Sequence, residues 1–315
     1  MRKIPLILIL LLALTLVFDA CSGYAVESNV YMTRNISPEG LVKVYEVLGR
    51  EAKGNVAIKI HMGEPGNKNF ISPKLIGKLV QRVNGTIVDC NTAYGGLRAS
   101  TAMHLQVARD HGFMDIAPVD IMDAEGSIRL SVEKGRHLRE LFIGSHYRKY
   151  DFFIILSHFK GHILAGFGGA IKNMAVGMAS VEGKVLIHTA GKSSRLRDLT
   201  FGTPQRAFLE SVAEAAKAIA DDLGENVVYI NIMNNLSVDC DCFPNAEEPD
   251  MHDIGILGSL DPVALDRACV DLVYSAPDGR SLVRRIESRD GKYLLEYAEK
   301  IGLGSQKYKL IKIDD

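Results

Sequence analysis

One short segment of the chain, from Ser157 to His188, concentrates side chains that could carry out chemistry. It follows the apolar run Phe152–Leu156, which is typical of a buried strand. The segment contains histidines, a lysine and a glycine pair: His158, His162, Gly168, Gly169, Lys172 and His188. Open α/β sheets bind their ligands beyond the carboxyl ends of their strands. The segment therefore predicts a ligand pocket, and the alternative is an ordinary loop with solvated histidines.

The residue types of this segment predict different roles. Histidine titrates near neutral pH, so we predict that His162 is a catalytic general acid or base. Lys172 is predicted to bind an anionic group of the substrate during catalysis, or to hold a cofactor. The pair Gly168–Gly169 has no side chains and would let the backbone approach that cofactor closely.

A second polar segment follows a neighbouring predicted strand. Asp89 and Asn91 come at the end of the run Thr86–Asp89, directly before the glycine-rich turn Tyr94–Gly96. We predict that both side chains point into the same crevice and bind the cofactor or substrate hydroxyls. The alternative is an Asx turn that only closes the strand.

Cys240 and Cys242 are separated by a single residue. Residues i and i+2 of an extended chain point to the same side, so both sulfurs could face one metal, whereas a disulfide between them would be strained. Thiolates bind zinc, iron or nickel, and we predict that His188 and His158 complete the ligand set of such a transition metal. The alternatives are a redox pair, or a bond from either cysteine to Cys90.

Several motifs, taken in order, resemble the family of domain of unknown function 362, whose members are often labelled iron–sulfur centre proteins. The motifs are IKIHMGEPGN (58–67), VDCNTAYGGLR (88–98), SHFKGH (157–162), GFGGAIKN (166–173), DCDC (239–242) and DIGILGSLDPVALDRACVDLV (253–273). The resemblance covers roughly residue 55 to the C-terminus. Many members carry a ferredoxin-like insert with C-x-x-C runs after the position of His188. No C-x-x-C occurs in this chain, so an iron–sulfur cluster is not implied.

The run GFGGAIKNMAVGMASVEGKVLIH (166–188) also resembles a segment of the nickel-dependent lactate racemases. This more distant resemblance implies that Lys172 would tether a nickel-pincer nucleotide and that His188 would ligate the metal. It further implies that His162 would be a catalytic histidine. The other catalytic histidine of that family lies in an early turn, and the comparable turn here, Ala93–Arg98, has none. Racemisation with two bases is therefore not implied.

The start of the chain is typical of an export signal. Arg2–Lys3 precedes the apolar stretch Ile4–Phe18, and Ala20–Cys21 resembles a bacterial lipoprotein cleavage site. We predict a signal peptide over residues 1–20, a lipid on Cys21 that anchors the chain to a membrane of the cell envelope, and a tether and lead-in over residues 21–54. The alternative is an uncleaved membrane anchor.

Residues 55–315 alternate between predicted strands and helices. This order predicts an α/β domain with mixed, largely parallel sheets flanked by helices, arranged as one unit or two lobes. The net charge of the 315-residue chain is −1 and no basic stripe occurs, so nucleic acid is not an expected partner.

These observations predict an exported lipoprotein with a metal-dependent site, acting as an enzyme on a small polar organic acid. The alternatives are a non-catalytic lipoprotein that binds a metal or a small ligand, and a thiol redox protein that uses Cys240 and Cys242.

Overall fold

The computed structural model of the protein describes residues 27–314. The described strands are β1 (Ser28–Thr33), β2 (Val56–Lys59), β3 (Thr86–Asp89), β4 (Val119–Ile121), β5 (Ser127–Ser131), β6 (Glu140–Gly144), β7 (Phe152–His158), β8 (Lys160–His162), β9 (Gly166–Gly168), β10 (Val227–Met233), β11 (Gly255–Ser259) and β12 (Tyr308–Lys312). The described α-helices are α1 (Pro38–Val47), α2 (Pro73–Val83), α3 (Thr101–Asp110), α4 (Ala170–Met178), α5 (Val181–His188), α6 (Gln205–Leu223), α7 (Pro262–Ser275), α8 (Arg280–Ser288) and α9 (Gly291–Lys300). Over these residues no helix combines the length and the hydropathy that a membrane span requires.

Eight of the strands form one sheet in the order β12-β1-β11-β10-β7-β2-β3-β4. Strands β10, β7, β2, β3 and β4 run parallel, whereas β11 is antiparallel to both of its neighbours, β10 and β1. The pairs β5–β6 and β8–β9 form two separate two-stranded sheets. The predicted α/β fold with a mixed, largely parallel sheet flanked by helices is confirmed.

Within the predicted tether and lead-in over residues 21–54, the structure forms β1 (Ser28–Thr33) and α1 (Pro38–Val47). Strand β1 lies between β12 and β11 in the sheet. The Ser37 side chain caps α1, and Pro38 occupies the first turn of that helix. The segment belongs to the sheet because β1 covers an edge of β11 that would otherwise expose its backbone groups. The predicted signal peptide and Cys21 fall within residues 1–26, outside the described residues.

The central strands β7 and β10 bury every one of their residues. Their side chains alternate between two apolar clusters, as successive residues of a strand point to opposite faces. Phe153 and Ile155 of β7 pack into one cluster with α4, α6 and α7, and Ile154 and Leu156 pack into the other with α1 and α2. Burial on both faces explains the continuous apolar run of β7.

Helix α4 is held directly over the ends of β2 and β7. The Asn173 amide donates to the carbonyl oxygens of Lys59 at 3.2 Å and of Leu156 at 3.1 Å. It also lies 3.1 Å from the hydroxyl of Ser157. These bonds fix the position of Lys172, which precedes Asn173 on the same helix.

Asp266, a fully buried carboxylate on α7, caps the first turn of α4. It accepts hydrogen bonds from the backbone N–H groups of Ala170 at 2.8 Å and Ile171 at 3.0 Å. Burial raises the pKa of Asp266 to about 6. A Cβ atom on Gly169 would lie 2.3 Å from this carboxylate, so the glycine is required by packing against Asp266. At Gly168 the added Cβ would make only an ordinary contact.

We expect Gly169→Ala to lower the free energy of unfolding by about 1–3 kcal/mol, because the new methyl group overlaps a fixed carboxylate. The matched control is Gly77→Ala on α2, where the nearest neighbour of the added Cβ is Ile116 at 4.0 Å. This control should be neutral or stabilise the helix by up to about 1 kcal/mol. Denaturant unfolding measures both variants, and equal effects would contradict the packing role of Gly169.

Candidate functional site

A cavity of about 400 Å³ opens at the carboxyl ends of β2, β3 and β7. The predicted site residues that line it are Asp89, His158, His162, Gly168, Gly169, Lys172, His188 and Cys242. Asn91 is not among its lining residues. Its side chain donates instead to the Thr101 hydroxyl at 3.1 Å, and its amide oxygen is buried without a hydrogen-bond partner. Polar residues that follow different strands therefore meet in one cavity, as expected for this class of sheet.

A cluster of two thiols and one imidazole lies at this cavity. The ligand atoms of His162, Cys240 and Cys242 all lie within 4.8 Å of one another. Cys240 is fully buried, and the backbone N–H of Cys242 donates to its sulfur at 3.4 Å. All four described cysteines, which include Cys90 and Cys269, are free thiols in the structure.

The surroundings of Cys240 favour the thiolate form. A hydrogen bond from Cys242 lowers the pKa of Cys240 well below its ordinary value, against the opposing effect of burial. The positive charge of Lys172 and a hydrogen bond from His162 lower it further. The pKa of Cys242 is raised well above its ordinary value, because Cys242 donates this hydrogen bond and is itself buried. The hydrogen bond between the two sulfurs therefore favours a thiolate on Cys240 and a thiol on Cys242.

The hydrogen bonds of the His162 ring show which of its two nitrogens carries the proton. Its Nδ1 atom accepts from the backbone N–H groups of Leu164 at 3.2 Å and Ala165 at 2.9 Å. The neutral ring must then carry its proton on Nε2, the nitrogen left for the hydrogen bond with Cys240. Burial, followed by the charge of Lys172, lowers the pKa of His162 to about 4, so the ring is neutral at pH 7.

This orientation determines how well the cluster fits a transition metal. Two thiols are suitable ligands. The Nε2 atom of His162 could bind a metal only if its proton moved to Nδ1, where it would point at two backbone N–H groups. Lys172 also places positive charge beside both sulfurs. The thiols fit a metal and the imidazole does not, so His162 is positioned as a hydrogen-bond donor to Cys240.

The other two histidines predicted from the sequence do not belong to this cluster. His158 is 2.8 Å from the Asp241 carboxylate through Nδ1 and 2.7 Å from the Asn234 carbonyl oxygen through Nε2. Both of its nitrogens are thus engaged, which leaves none for a metal. Cys240 and Cys242 meet His162 instead of the predicted His188 and His158, because β7 ends at His158 and the chain then turns into the β8–β9 pair.

His188 occupies an aromatic part of the cavity wall. Its Nδ1 atom donates to the Lys184 carbonyl oxygen at 2.7 Å, and Nε2 lies 3.2 Å from the Tyr94 hydroxyl. The rings of Tyr94, Phe201 and Phe208 surround the imidazole, with centroid distances of 5.0, 5.9 and 5.1 Å. Burial lowers the pKa of His188 to about 4. The bond to Lys184 leaves the lone pair on Nε2, so His188 can accept a proton or a hydrogen bond there.

Asp89 is engaged by neighbouring cations. Lys59 lies 3.0 Å from one of its oxygens, and Arg98 and His104 each lie 3.5 Å from the other. Burial alone would raise the pKa of Asp89, but Lys59 and His104 hold it well below its ordinary value. Arg98 is shared with Glu64, at 2.8 Å. Asp89 therefore orders the base of the cavity, and the structure offers this role in place of direct cofactor binding.

Cations outnumber carboxylates in the cavity wall. Lysine and arginine contribute Arg98, Lys160, Lys172 and Lys184, whereas the carboxylates are Glu64 and Asp89. Lys184 is buried, and its ammonium group donates only to the Ala179 carbonyl oxygen among the contacts seen in the described residues. A cavity with this charge balance attracts anions.

Sequence reasoning missed several residues that shape this site. Lys59 interrupts the apolar run VAIKI, Lys184 directly precedes the apolar run VLI, and both lysines are buried. A lysine at such a position must find a partner or a ligand, because burying an isolated charge is costly. That signal could have identified both residues. The role of Asp241, which binds His158 and Lys160, had no comparable signal.

Neutral His188 makes the stability of the fold depend on pH. The unfolded chain takes up a proton at this residue near pH 6.5, whereas the folded chain does so only near pH 4. The stabilisation is complete above pH 6.5 and is lost as the pH falls towards 4, by about 3 kcal/mol. We expect His188→Gln to flatten the decline in unfolding free energy over this window. The exposed His252→Gln variant is the control, and an unchanged slope in His188→Gln would contradict the buried neutral ring.

Two solved structures are similar to this chain. The lactate racemase apoprotein from Thermoanaerobacterium thermosaccharolyticum has 16% identity and a TM-score of 0.39, over 64% of this chain and 50% of that chain. A protein from Thermotoga maritima has 12% identity and a TM-score of 0.42, over 84% of this chain and 58% of that chain. The matches thus span little more than half the length of either structure. A comparison with curated proteins finds no match.

A family match extends over most of the sheet and the whole cavity. The family described as Domain of unknown function (DUF362) matches residues 56–271, which is more than half of the chain. The matched region runs from β2 through most of α7 and contains every residue of the thiol–imidazole cluster. The chain belongs to the DUF362 family.

Proposed function

We propose that the protein is an enzyme that acts on a small organic acid through the thiolate of Cys240. The observation that carries this proposal is the contact of the buried Cys240 with Cys242 and His162 beside the charge of Lys172, three residues that line the cavity. A thiolate held by hydrogen bonds beside a cation is the arrangement that activates cysteine as a nucleophile. The excess of cations in the wall supports an anionic substrate.

The residues of the site have separate tasks in this proposal. Lys172 binds the acid group of the substrate, and Lys184 adds positive charge deeper in the cavity. The thiolate of Cys240 is the reactive group, and Nε2–H of His162 holds its sulfur in the charged form. His188 accepts a proton at Nε2, because its Nδ1 is fixed as a donor to Lys184. Burial of these groups excludes water and strengthens their electrostatic interactions.

Alkylation tests the reactive thiolate without knowledge of the substrate. Iodoacetate and iodoacetamide transfer similar groups to sulfur, so their rates can be compared directly. An ordinary thiolate repels the negatively charged iodoacetate and therefore reacts faster with the neutral iodoacetamide. In the cationic cavity we expect the preference to reverse, with Cys240 reacting about tenfold faster with iodoacetate. Mass spectrometry of the modified peptide identifies the cysteine and gives the two rates.

Three variants make this measurement specific. Cys240→Ser should abolish the fast modification, whereas Cys242→Ser should keep it, because a serine hydroxyl still donates to Cys240. Lys172→Met should reduce the preference for iodoacetate, and Lys309→Met, which changes an exposed lysine on β12, should not. If Cys240 reacts no faster than an unfolded thiol, or prefers iodoacetamide, the proposal is wrong.

The second candidate function is binding of a transition metal by the two thiols of the cluster, and the approach of the Cys240 and Cys242 sulfurs to within 4.8 Å of each other favours it. When bound, zinc, iron or nickel would act there as a Lewis acid or a redox centre. One equivalent of Zn²⁺ added before the alkylation separates the two functions. Stoichiometric zinc that protects Cys240, and that is lost in Cys242→Ser, supports the metal site. Unprotected alkylation supports the thiolate enzyme.

We also propose that the protein is exported and anchored by a lipid on Cys21 in the cell envelope. The charged start, the apolar stretch Ile4–Phe18 and the Ala20–Cys21 junction support this location. Intact mass of the protein extracted from membranes of a bacterial host should show a chain that begins at Cys21 and carries lipid. A Cys21→Ala variant is the control, and a chain that retains Met1 in both forms would refute the export.

A further inference from the structure

Four large apolar side chains are exposed around the mouth of the cavity. Tyr94, Ile163, Phe201 and Phe243 all line the cavity, and their exposed fractions are 39, 38, 58 and 37%. We call these four residues the apolar rim. They come from four different segments: the turn after β3, the turn between β8 and β9, the loop before α6 and the loop after β10. Four separate loops therefore converge to place one apolar group each at the same opening.

The exposed apolar side chains are grouped at the cavity mouth rather than distributed singly over the surface. In the described part of the chain eight large apolar side chains are exposed, and half of them belong to the apolar rim. Single exposed apolar residues need no explanation, but a contiguous group beside a cavity marks a surface that binds another molecule. The free energy lost by exposing these groups is regained when a ligand covers them.

The apolar rim is attached directly to the reactive groups. Ile163 follows His162 in the chain, and Phe243 follows Cys242. The Tyr94 and Phe201 rings pack against each other at 5.9 Å, and both contact the His188 imidazole. A molecule whose acid group reached Lys172 would therefore leave the remainder of its length against the apolar rim.

We propose that the substrate is an amphiphile, an acid that carries an alkyl or aryl chain, with the chain lying against the apolar rim. This inference rests on the proposed function, because the acid group is the part that Lys172 binds. A substrate chain is favoured over a flat protein partner because all four rim residues line the concave cavity itself. The wall also continues inward with the buried ring of Phe208, which suits a chain that enters the cavity.

A homologous series of straight-chain acids tests the inference. The probes are butanoate, hexanoate and octanoate, and isothermal titration calorimetry of the full chain measures their dissociation constants. Each methylene that reaches the apolar rim should tighten binding about threefold, close to the fourfold gain expected for a fully buried methylene. Octanoate should then bind about two orders of magnitude more tightly than butanoate.

Variants of the apolar rim test whether its residues provide this gain in affinity with chain length. Phe201→Ser should remove most of the dependence of the dissociation constant on chain length. Leu260→Ser is the matched control, since Leu260 is 41% exposed and lies outside the cavity wall, and it should keep the full dependence. Both changes are at exposed positions, and a thermal melt confirms that each variant is folded.

The outcomes distinguish this inference from the proposed function. Equal affinity for butanoate and octanoate would overturn the amphiphile while leaving the acid site intact. Binding of octanol as tight as that of octanoate would overturn the role of the acid group, and with it the proposed function, while the apolar rim would still bind chains. If Phe201→Ser weakens binding to phosphatidylcholine vesicles but not to octanoate, the rim is a membrane-docking surface and the inference is wrong.

Discussion

Lys59 is a fully buried cation in the middle of a parallel sheet, and its charge has to be neutralised without water. Its ammonium group reaches Asp89 on β3 at 3.0 Å, Asn173 on α4 at 2.9 Å and the Ile60 carbonyl oxygen at 2.6 Å. One side chain therefore joins two strands to the helix that lies over their ends. Removing either partner of such a pair leaves a buried charge uncompensated, which is strongly destabilising. The geometry of the cavity depends on this interaction because Lys172, the neighbour of Asn173, has its position fixed by the same helix.

A second buried ion pair, formed by the Asp241 carboxylate, holds the segment that carries the two thiols in place. Asp241 lies between Cys240 and Cys242 and binds His158 at 2.8 Å and Lys160 at 2.9 Å. Its backbone carbonyl also accepts the N–H of Glu64 at 2.8 Å, which ties the loop after β10 to the turn after β2. Asp241 and Cys242 lie in a turn closed by the bond from the Phe243 N–H to the Cys240 carbonyl oxygen at 3.0 Å, and this turn brings the Cys242 N–H to the Cys240 sulfur at 3.4 Å. The Cys-Asp-Cys segment thus combines an internal anchor with one thiol in the cavity wall, Cys242, and one fully buried thiol behind it, Cys240.

The sequence was sufficient to predict the class of fold and the meeting of polar side chains at one edge of the sheet, because both follow from local patterns. The buried run of β7 and the polar residues after β3 and β7 mark strands of the observed sheet and their carboxyl ends. The sequence was not sufficient to predict which histidine contacts the two thiols. That choice depends on the β8–β9 turn, whose N–H groups hold the His162 ring. The need for Gly169 likewise arises from Asp266, nearly a hundred residues away in the chain, and no local pattern contains such a contact.

The two neutral histidines and the charged lysines of the cavity are parts of one electrostatic arrangement. Burial disfavours the charged form of His162 and His188, and Lys172 adds to that effect at both rings. Both rings are therefore neutral at pH 7, and the lone pair on Nε2 of His188 stays available to accept a proton. An anion that binds beside Lys172 offsets its charge and raises the pKa of both histidines. Binding and protonation are then coupled reciprocally, since any ligand that favours the protonated rings is in turn bound more tightly when they are protonated. An acid substrate would in this way supply part of the electrostatic change that prepares its own proton transfer.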